Sequence, residues 1–288
     1  MCRHAAWLGA PRTLAELIHE PEHGLLRQSY APRRQRHGTV NADGFGMGWY
    51  DPDLGPDPCL AAPEPIRYRR SIPMWADANL PGLARVARSG CLLAAVRCAT
   101  VGMPVEESAT APFTEGRWLL SHNGRVDRDA LRDLAEGAES ACDSAWLAAA
   151  VFRRLRADCS PAPASAPSAS SLSASGTSAS GTSASGTSAS GASASGTSAV
   201  PAGAALGEAL AEVVTSAAAK DPDARLNLLA CDGVTLAATA WGDTLFHRPH
   251  PDGVLVASEP LCDGPGWQEV PDRSLLLATA DGLRVQPL

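Results

Sequence analysis

The chain opens Met-Cys-Arg-His-Ala-Ala-Trp over residues 1–7, and the standing of Cys2 decides how everything after it is read. A cysteine in second place is small enough to permit removal of the initiator methionine, so the expected mature chain begins at Cys2. That residue would then carry a thiol and a free α-amine together. Such an amine titrates near pH 7.7–8.0, roughly, and can accept a proton close to neutrality. The thiolate is the reactive form of cysteine, and a nucleophile paired with its own amine needs no separate histidine. Taken alone, a cysteine in second place is more often an incidental residue, so the question passes to the rest of the chain.

The 288 residues suffice for one large core or two ordinary ones, and a hydrophobic content of 45% is ordinary for a globular protein. The formal charge of -7 comes with one short basic cluster, Pro32–His37, which is too little for a nucleic-acid surface. No apolar run reaches about 18 residues, and the N-terminus lacks the basic-then-apolar order of a signal peptide, so a cytoplasmic protein without a membrane span is expected. The eight cysteines are scattered without CxxC spacing and predict neither a disulfide frame nor a zinc site. His19 and His23 stand four apart in HEPEH, but Pro21 between them opposes the helix that would set both rings on one face, and the other histidines form no such pair, so no metal and no cofactor are expected.

Between Pro161 and Pro201 the composition collapses to Ser, Ala, Gly, Thr and Pro, with SASGT at Ser173 and near-copies in tandem to Thr197. Without large apolar side chains such a segment cannot offset its ordering entropy, and it reads as a disordered insertion spanning about 35 Å end to end. Its flanks, DSAWLAAAVFRRLRADC before and AALGEALAEVVTSAAA after, both read as helices. Neither side is complete alone. The N-terminal part supplies strand-like CLLAAVRCAT and RWLLSHNGRV, the C-terminal part RLNLLACDG, VTLAATAW, GVLVAS and SLLLATA. The expected organisation is therefore one domain over residues 2–288, interrupted at about 160–201. Further helices are expected near 13–20, 76–88 and 127–136, and a glycine-rich strand at DGFGMGWY, which together indicate layered α and β structure.

Four local features could carry chemistry. Ser121–Gly124 follows an apolar strand and precedes a helix with Asp127 at its cap. There the Asn123 side chain and the Gly124 N–H could cradle an oxyanion, although Asn-Gly is also a common turn dipeptide and His122 could be a buried hydrogen-bonding residue. Arg97 ends another apolar strand, where burial is costly unless it meets an anion. Its fork suits a substrate carboxylate, with Thr100 nearby as a second donor, although an internal salt bridge is the more frequent reason for such an arginine. Asp143 begins a long helix, where it could bind an ammonium group or merely cap. Asn41–Tyr50 carries three glycines at alternate positions, so one face of that strand has no side chains and something can pack closely there.

This set, an N-terminal-type cysteine, R-x-x-T after a strand, H-N-G after a strand and Asp-Ser at a helix start, resembles the class II glutamine amidotransferases of the N-terminal nucleophile hydrolase superfamily. The stretches NADGFGMGWY and ASEPLCDGPGWQEVPDRSLL are similar to the branch that hydrolyses γ-glutamyl conjugates in ergothioneine biosynthesis. The resemblance implies an α+β fold, a four-layer αββα sandwich. It further implies that Cys2 attacks a γ-amide carbonyl to form a glutamyl thioester, with Asn123 and Gly124 holding the oxyanion. Arg97, Thr100, His122 and Asp143 would then bind the glutamyl group. The expected partner is a small γ-glutamyl substrate, with no nucleic acid and no membrane. Ala145 departs from the Glu that many class II enzymes have there, and Cys262 stands where an acidic residue is expected. Two alternatives stay open: a glutaminase passing ammonia to a separate synthase, since no second catalytic region fits in this chain, and a non-catalytic binding protein that keeps Met1.

Overall fold

The computed structural model describes residues 2–51, 64–159 and 202–288. Met1 and the insertion at about 160–201 lie outside the described residues. In chain order the elements are β1 (Arg3–Thr13), α1 (Ala15–Ile18), α2 (Leu25–Tyr30), β2 (Phe45–Trp49), β3 (Ile66–Arg70), α3 (Leu80–Val86), β4 (Arg88–Val96), β5 (Phe113–Glu115), β6 (Trp118–Arg125), α4 (Arg128–Leu131) and α5 (Asp143–Cys159). They continue with α6 (Ala202–Lys220), β7 (Arg225–Cys231), β8 (Leu236–Ala240), β9 (Phe246–His250), β10 (Gly253–Ala257), β11 (Gln268–Glu269), β12 (Ser274–Thr279) and β13 (Gly282–Pro287).

Strands with apolar residues on both faces must be covered on both faces, and that requirement builds the layers. On β4, Leu92, Ala94 and Val96 pack with Leu14, Leu17 and Ile18 of the α1 region, Leu25 of α2 and Ala84 of α3. The alternate residues Cys91 and Leu93 instead meet Leu119, Leu229, Leu236 and Leu276 of the opposing sheet. On β7, Leu226, Leu228 and Ala230 pack against Val151 and Phe152 of α5 and Leu210 and Val214 of α6. The first sheet runs β11-β9-β10-β1-β4-β2-β3 and the second β13-β12-β8-β7-β6-β5. The result is the expected αββα sandwich, with apolar cores in all three interlayer spaces. Each fully buried Leu or Val contributes about 1.5–3 kcal/mol by leaving water.

The helices on either side of the insertion, α5 and α6, share one apolar cluster on the second sheet. The three weaker helix expectations shorten. The first becomes the single turn α1, the second becomes α3, and the third stops as α4, where Asp127 caps by accepting from the Asp129 N–H at 2.9 Å. β2 forms as expected, and its bare face is filled: a Cβ at Gly46 would lie 2.3 Å from the Ala111 carbonyl, and one at Gly48 2.6 Å from Leu119. The larger surprise is β1, a central eleven-residue strand that sequence periodicity does not announce. Its first residues alternate Arg3, Ala5, Trp7 with His4, Ala6, and both sets are buried, so no polar face marks the period.

Candidate active site

The register of the first sheet sets the site. β1 lies antiparallel to β4 with Arg3 opposite Val96, so the chain reaches Cys2 beside Arg97 just past the paired residues. Arg97 is itself fixed, its N–H donating to the Gly44 carbonyl at 2.8 Å and its carbonyl accepting from Asp43 N–H at 3.0 Å. Cys2 and Arg97 share a narrow cleft with Ala95, Val96, Ala109, Thr110, Ala111, Phe113, His122 and Ser144. Thus the first sheet supplies the thiol and the guanidinium, and the 109–113 segment, β6 and α5 supply the facing walls. Ala111 can stand this close because its carbonyl occupies the space left by Gly46.

The Cys2 thiol donates to the Cys98 carbonyl at 4.0 Å, a long contact. Burial pushes its pKa up, and the Cys98 hydrogen bond and the Arg97 charge only partly counter this. A thiol in that state needs a base to become a nucleophile. Arg97 is 7% exposed, and among the described residues its guanidinium makes one hydrogen bond, a long one of 3.5 Å to the Asp43 carbonyl. Among the described residues no carboxylate lies within ion-pair reach of it; the internal salt bridge that sequence reasoning left open does not form. A nearly buried fork with no carboxylate in reach among the described residues, in the same cleft as a thiol, is suited to bind an anion.

His122 is the other buried polar wall. Its Nε2 lies 2.9 Å from the Arg225 carbonyl, which can only accept, so Nε2 carries the hydrogen and Nδ1 accepts from the Ser144 hydroxyl at 2.9 Å. Burial lowers its pKa more than neighbouring Asp143 raises it. Asn123 and Gly124 do not form a turn: they sit within β6, paired with Asn227 and Leu226 of β7. Asn123 donates from Nδ2 to Asp243 at 3.3 Å. Gly124 is demanded by packing, since a Cβ there would lie 1.9 Å from the Arg225 carbonyl and 2.7 Å from His122 Nε2. Asp143, 5% exposed, heads α5 and accepts from the N–H groups of Val126 at 3.1 Å and Ser144 at 2.9 Å. Thr100 opens a turn closed by the Met103 N–H and does not line the cleft, nor do Asn123, Gly124 and Asp143. Thr110, Phe113 and Ser144 are walls that the sequence did not single out as site residues. Thr110 and Phe113 lie in loop-rich sequence with no periodicity to single them out.

Away from the cleft, Glu22, His23 and Asp263 bring ligand-type atoms within 4.8 Å of one another, a grouping hidden from sequence by the 240 residues between His23 and Asp263. Asp263 is already ion-paired with Arg33 at 2.6 Å. No helix among the described residues is long and apolar enough to cross a membrane.

Two neutral histidines at the centre make acid stability a test of the geometry. His4 is fully buried with Nδ1 3.1 Å from Ser121 Oγ, and burial, with help from Arg3 and His122, lowers its pKa from 6.5 to about 3. A depressed histidine has no effect on stability above its unfolded pKa. As pH falls below 6.5 the unfolded chain takes up the proton first, and stability declines until the folded pKa is reached. At pH 5.0 that loss is about 2 kcal/mol from His4 alone, and His122 adds to it with the same sign. Urea unfolding at pH 7.5 and 5.0 is expected to show at least that difference, and His4→Gln should flatten it. A stability unchanged over this range would contradict the neutral, buried placement.

No family model matches the chain. It is 45% identical over the full length of both chains to a γ-glutamyl-hercynylcysteine sulfoxide hydrolase of Mycolicibacterium smegmatis. It is 42% identical to the protein of that name from Mycobacterium tuberculosis, covering all of this chain and 97% of the other. Among solved structures, a glutamine aminotransferase class-II domain protein from Silicibacter pomeroyi matches 99% of each chain with a TM-score of 0.57 at 22% identity, a likeness of fold. With β1 delivering Cys2 to an αββα cleft and relatives this close over the whole length, the chain belongs to the γ-glutamyl-hercynylcysteine sulfoxide hydrolase family, on the class II glutamine amidotransferase fold.

Proposed function

We propose that this chain hydrolyses the γ-glutamyl amide bond of γ-glutamyl-hercynylcysteine sulfoxide, releasing glutamate, through a thioester on Cys2. The observation that carries the reading is Arg97, a nearly buried guanidinium without a carboxylate partner, in the same cleft as the Cys2 thiol. Once Met1 is removed, the Cys2 α-amine takes the thiol proton and Sγ bonds to the γ-carbonyl carbon. Asn123 and Gly124 follow the cleft wall His122 along β6 without lining the cleft themselves. The reaction therefore requires the substrate to bring its carbonyl oxygen within reach of Asn123 Nδ2 and the Gly124 N–H, which then receive the charge that develops on oxygen. The C–N bond then breaks, and the proton held by the α-amine passes to the departing nitrogen. Water then adds hydroxyl to the acyl carbon of the thioester, the C–S bond breaks to release glutamate, and the water proton passes to Sγ. Arg97 holds the glutamyl α-carboxylate and His122 walls the pocket; Thr100, three residues past Arg97, and Asp143, next to the cleft wall Ser144, stand just outside the cleft and are the proposed further contacts to the α-carboxylate and the α-ammonium. The proposed organisation is one domain over residues 2–288, with the insertion at about 160–201 falling in sequence between α5 and α6.

The substrate assignment rests on identity to the two hydrolases over their whole length. It is tested by comparing glutamate release from glutamine, γ-glutamylcysteine and γ-glutamyl-hercynylcysteine sulfoxide. The sulfoxide is expected to exceed glutamine in kcat/KM by at least about 100-fold, because a leaving group with its own charges adds binding energy absent from ammonia. A preference for glutamine would replace this reading with that of a glutaminase feeding a separate synthase.

A further inference from the structure

We infer that Asp243 is a positioning residue for the reaction, holding Asn123 in the orientation that presents its amide N–H to the oxyanion. This rests on the reading of Asn123 as the oxyanion donor. Asp243 follows β8, far in sequence from both Arg3 and Asn123, yet its buried carboxylate meets both side chains. Oδ2 accepts from Asn123 Nδ2 at 3.3 Å and lies 3.5 Å from the Arg3 guanidinium, and neither charged side chain is exposed. Oδ1 accepts from the Thr244 N–H at 2.8 Å, which fixes the carboxylate rotamer.

Two consequences follow from chemistry alone. A carboxylate only accepts, so it determines which end of the Asn123 amide faces it: the NH₂ end, with one hydrogen engaged and one left to point elsewhere. The amide Oδ1 has no partner, so nothing else holds that orientation. A negative charge so close to a developing oxyanion would oppose catalysis if it stood alone. Arg3 offsets it, and Arg3 is bonded directly to the nucleophilic residue. The Arg3 Nε in turn donates to Gln35 Oε1 at 3.3 Å, and Asn41 donates to that same oxygen at 3.0 Å. The chain Gln35, Arg3, Asp243, Asn123 thus ties the two halves of the catalytic apparatus, one from each sheet.

Asp243→Asn keeps the shape but offers one acceptor oxygen where two donors, Thr244 N–H and Asn123 NH₂, need one each, so Asn123 loses its anchor. The expected result with γ-glutamyl-hercynylcysteine sulfoxide is a kcat lowered by about 10- to 100-fold with KM within threefold. The rate of Cys2 alkylation by iodoacetamide, which needs no oxyanion donor, should be unchanged. Asn123→Ala should lower kcat by about 100- to 1,000-fold, and the double variant should be no slower than Asn123→Ala. If Asp243→Asn fails to fold, Asp243→Ser, which retains an acceptor for Thr244, carries the same expectation. A wild-type kcat in the Asp243 variant, or a double variant slowed by the product of the two single effects, overturns the inference while leaving the proposed reaction intact. A wild-type kcat in Asn123→Ala overturns the oxyanion reading beneath it.

Discussion

Replacing Cys2 by alanine is expected to lower kcat by at least about 10⁴-fold while leaving the fold in place. Loss of a covalent nucleophile removes the whole thioester route, and only binding and oxyanion stabilisation remain. The structural cost is small, because Cys2 is only partly buried and its Sγ makes a single 4.0 Å contact with the Cys98 carbonyl. The thermal midpoint should therefore move by no more than a few degrees. Intact mass of the wild-type protein should show Met1 absent, and a glutamine-analogue electrophile should add one equivalent to the wild type and none to the variant. Turnover within tenfold of wild type, or a wild type that keeps Met1 and ignores the electrophile, would remove Cys2 from the mechanism and favour a binding protein on this fold.

Much of this architecture was legible because long apolar runs are hard to misplace. CLLAAVRCAT, RLNLLACDG and SLLLATA each become strands, and α5 spans the same residues, Asp143–Cys159, that its sequence suggests. What stayed hidden has a common cause. β1 is buried on both faces and includes Arg3 and His4, whose burial is made tolerable by partners distant in sequence: Asp243 and Gln35 for Arg3 and Ser121 for His4. Local sequence carries no signal for such pairings. β3, β5, β9, β11 and β13 are short or edge strands with polar or half-exposed residues, so neither length nor period separates them from loops.

The site divides in the same way. Cys2, Arg97 and His122 were readable as candidates and are brought to one cleft. The Asn-Gly pair illustrates the limit of a dipeptide rule: its turn preference is overridden because β7 pairs along the whole of β6, with Gly124 opposite Leu226. Asp143 was readable as either a cap or a ligand. Its carboxylate accepts from the Ser144 N–H and also from Val126, which shows that a helix-start aspartate can order a neighbouring strand end as well. Asp243 could not have been singled out, since GDT after a strand reads as an ordinary turn and its importance arises only where two sheets meet.

Arg97→Gln is expected to raise KM for the γ-glutamyl substrate by about 100-fold or more, with kcat changed by less than tenfold. The α-carboxylate lies several bonds from the γ-carbonyl and keeps its charge throughout the reaction, so its contacts are as strong in the ground state as in the transition state. Removing such a contact is a loss of uniform binding, which appears in KM. A charge-assisted bidentate pair in a nearly buried site is worth about 2–5 kcal/mol when one partner is truncated, hence the magnitude. Arg97→Lys keeps the charge without the planar fork and should fall between, nearer to the glutamine variant because the strongly hydrated ammonium is poorly suited to a site 7% exposed. A substrate analogue lacking the α-carboxylate separates this role from a structural one. Wild type should lose on that analogue what Arg97→Gln loses on the full substrate, and the variant should lose little more. If Arg97→Gln instead lowers kcat at unchanged KM, or discriminates against the analogue as strongly as wild type does, the unpaired guanidinium is not the carboxylate receptor, and the orientation of the glutamyl group in the cleft must be reversed.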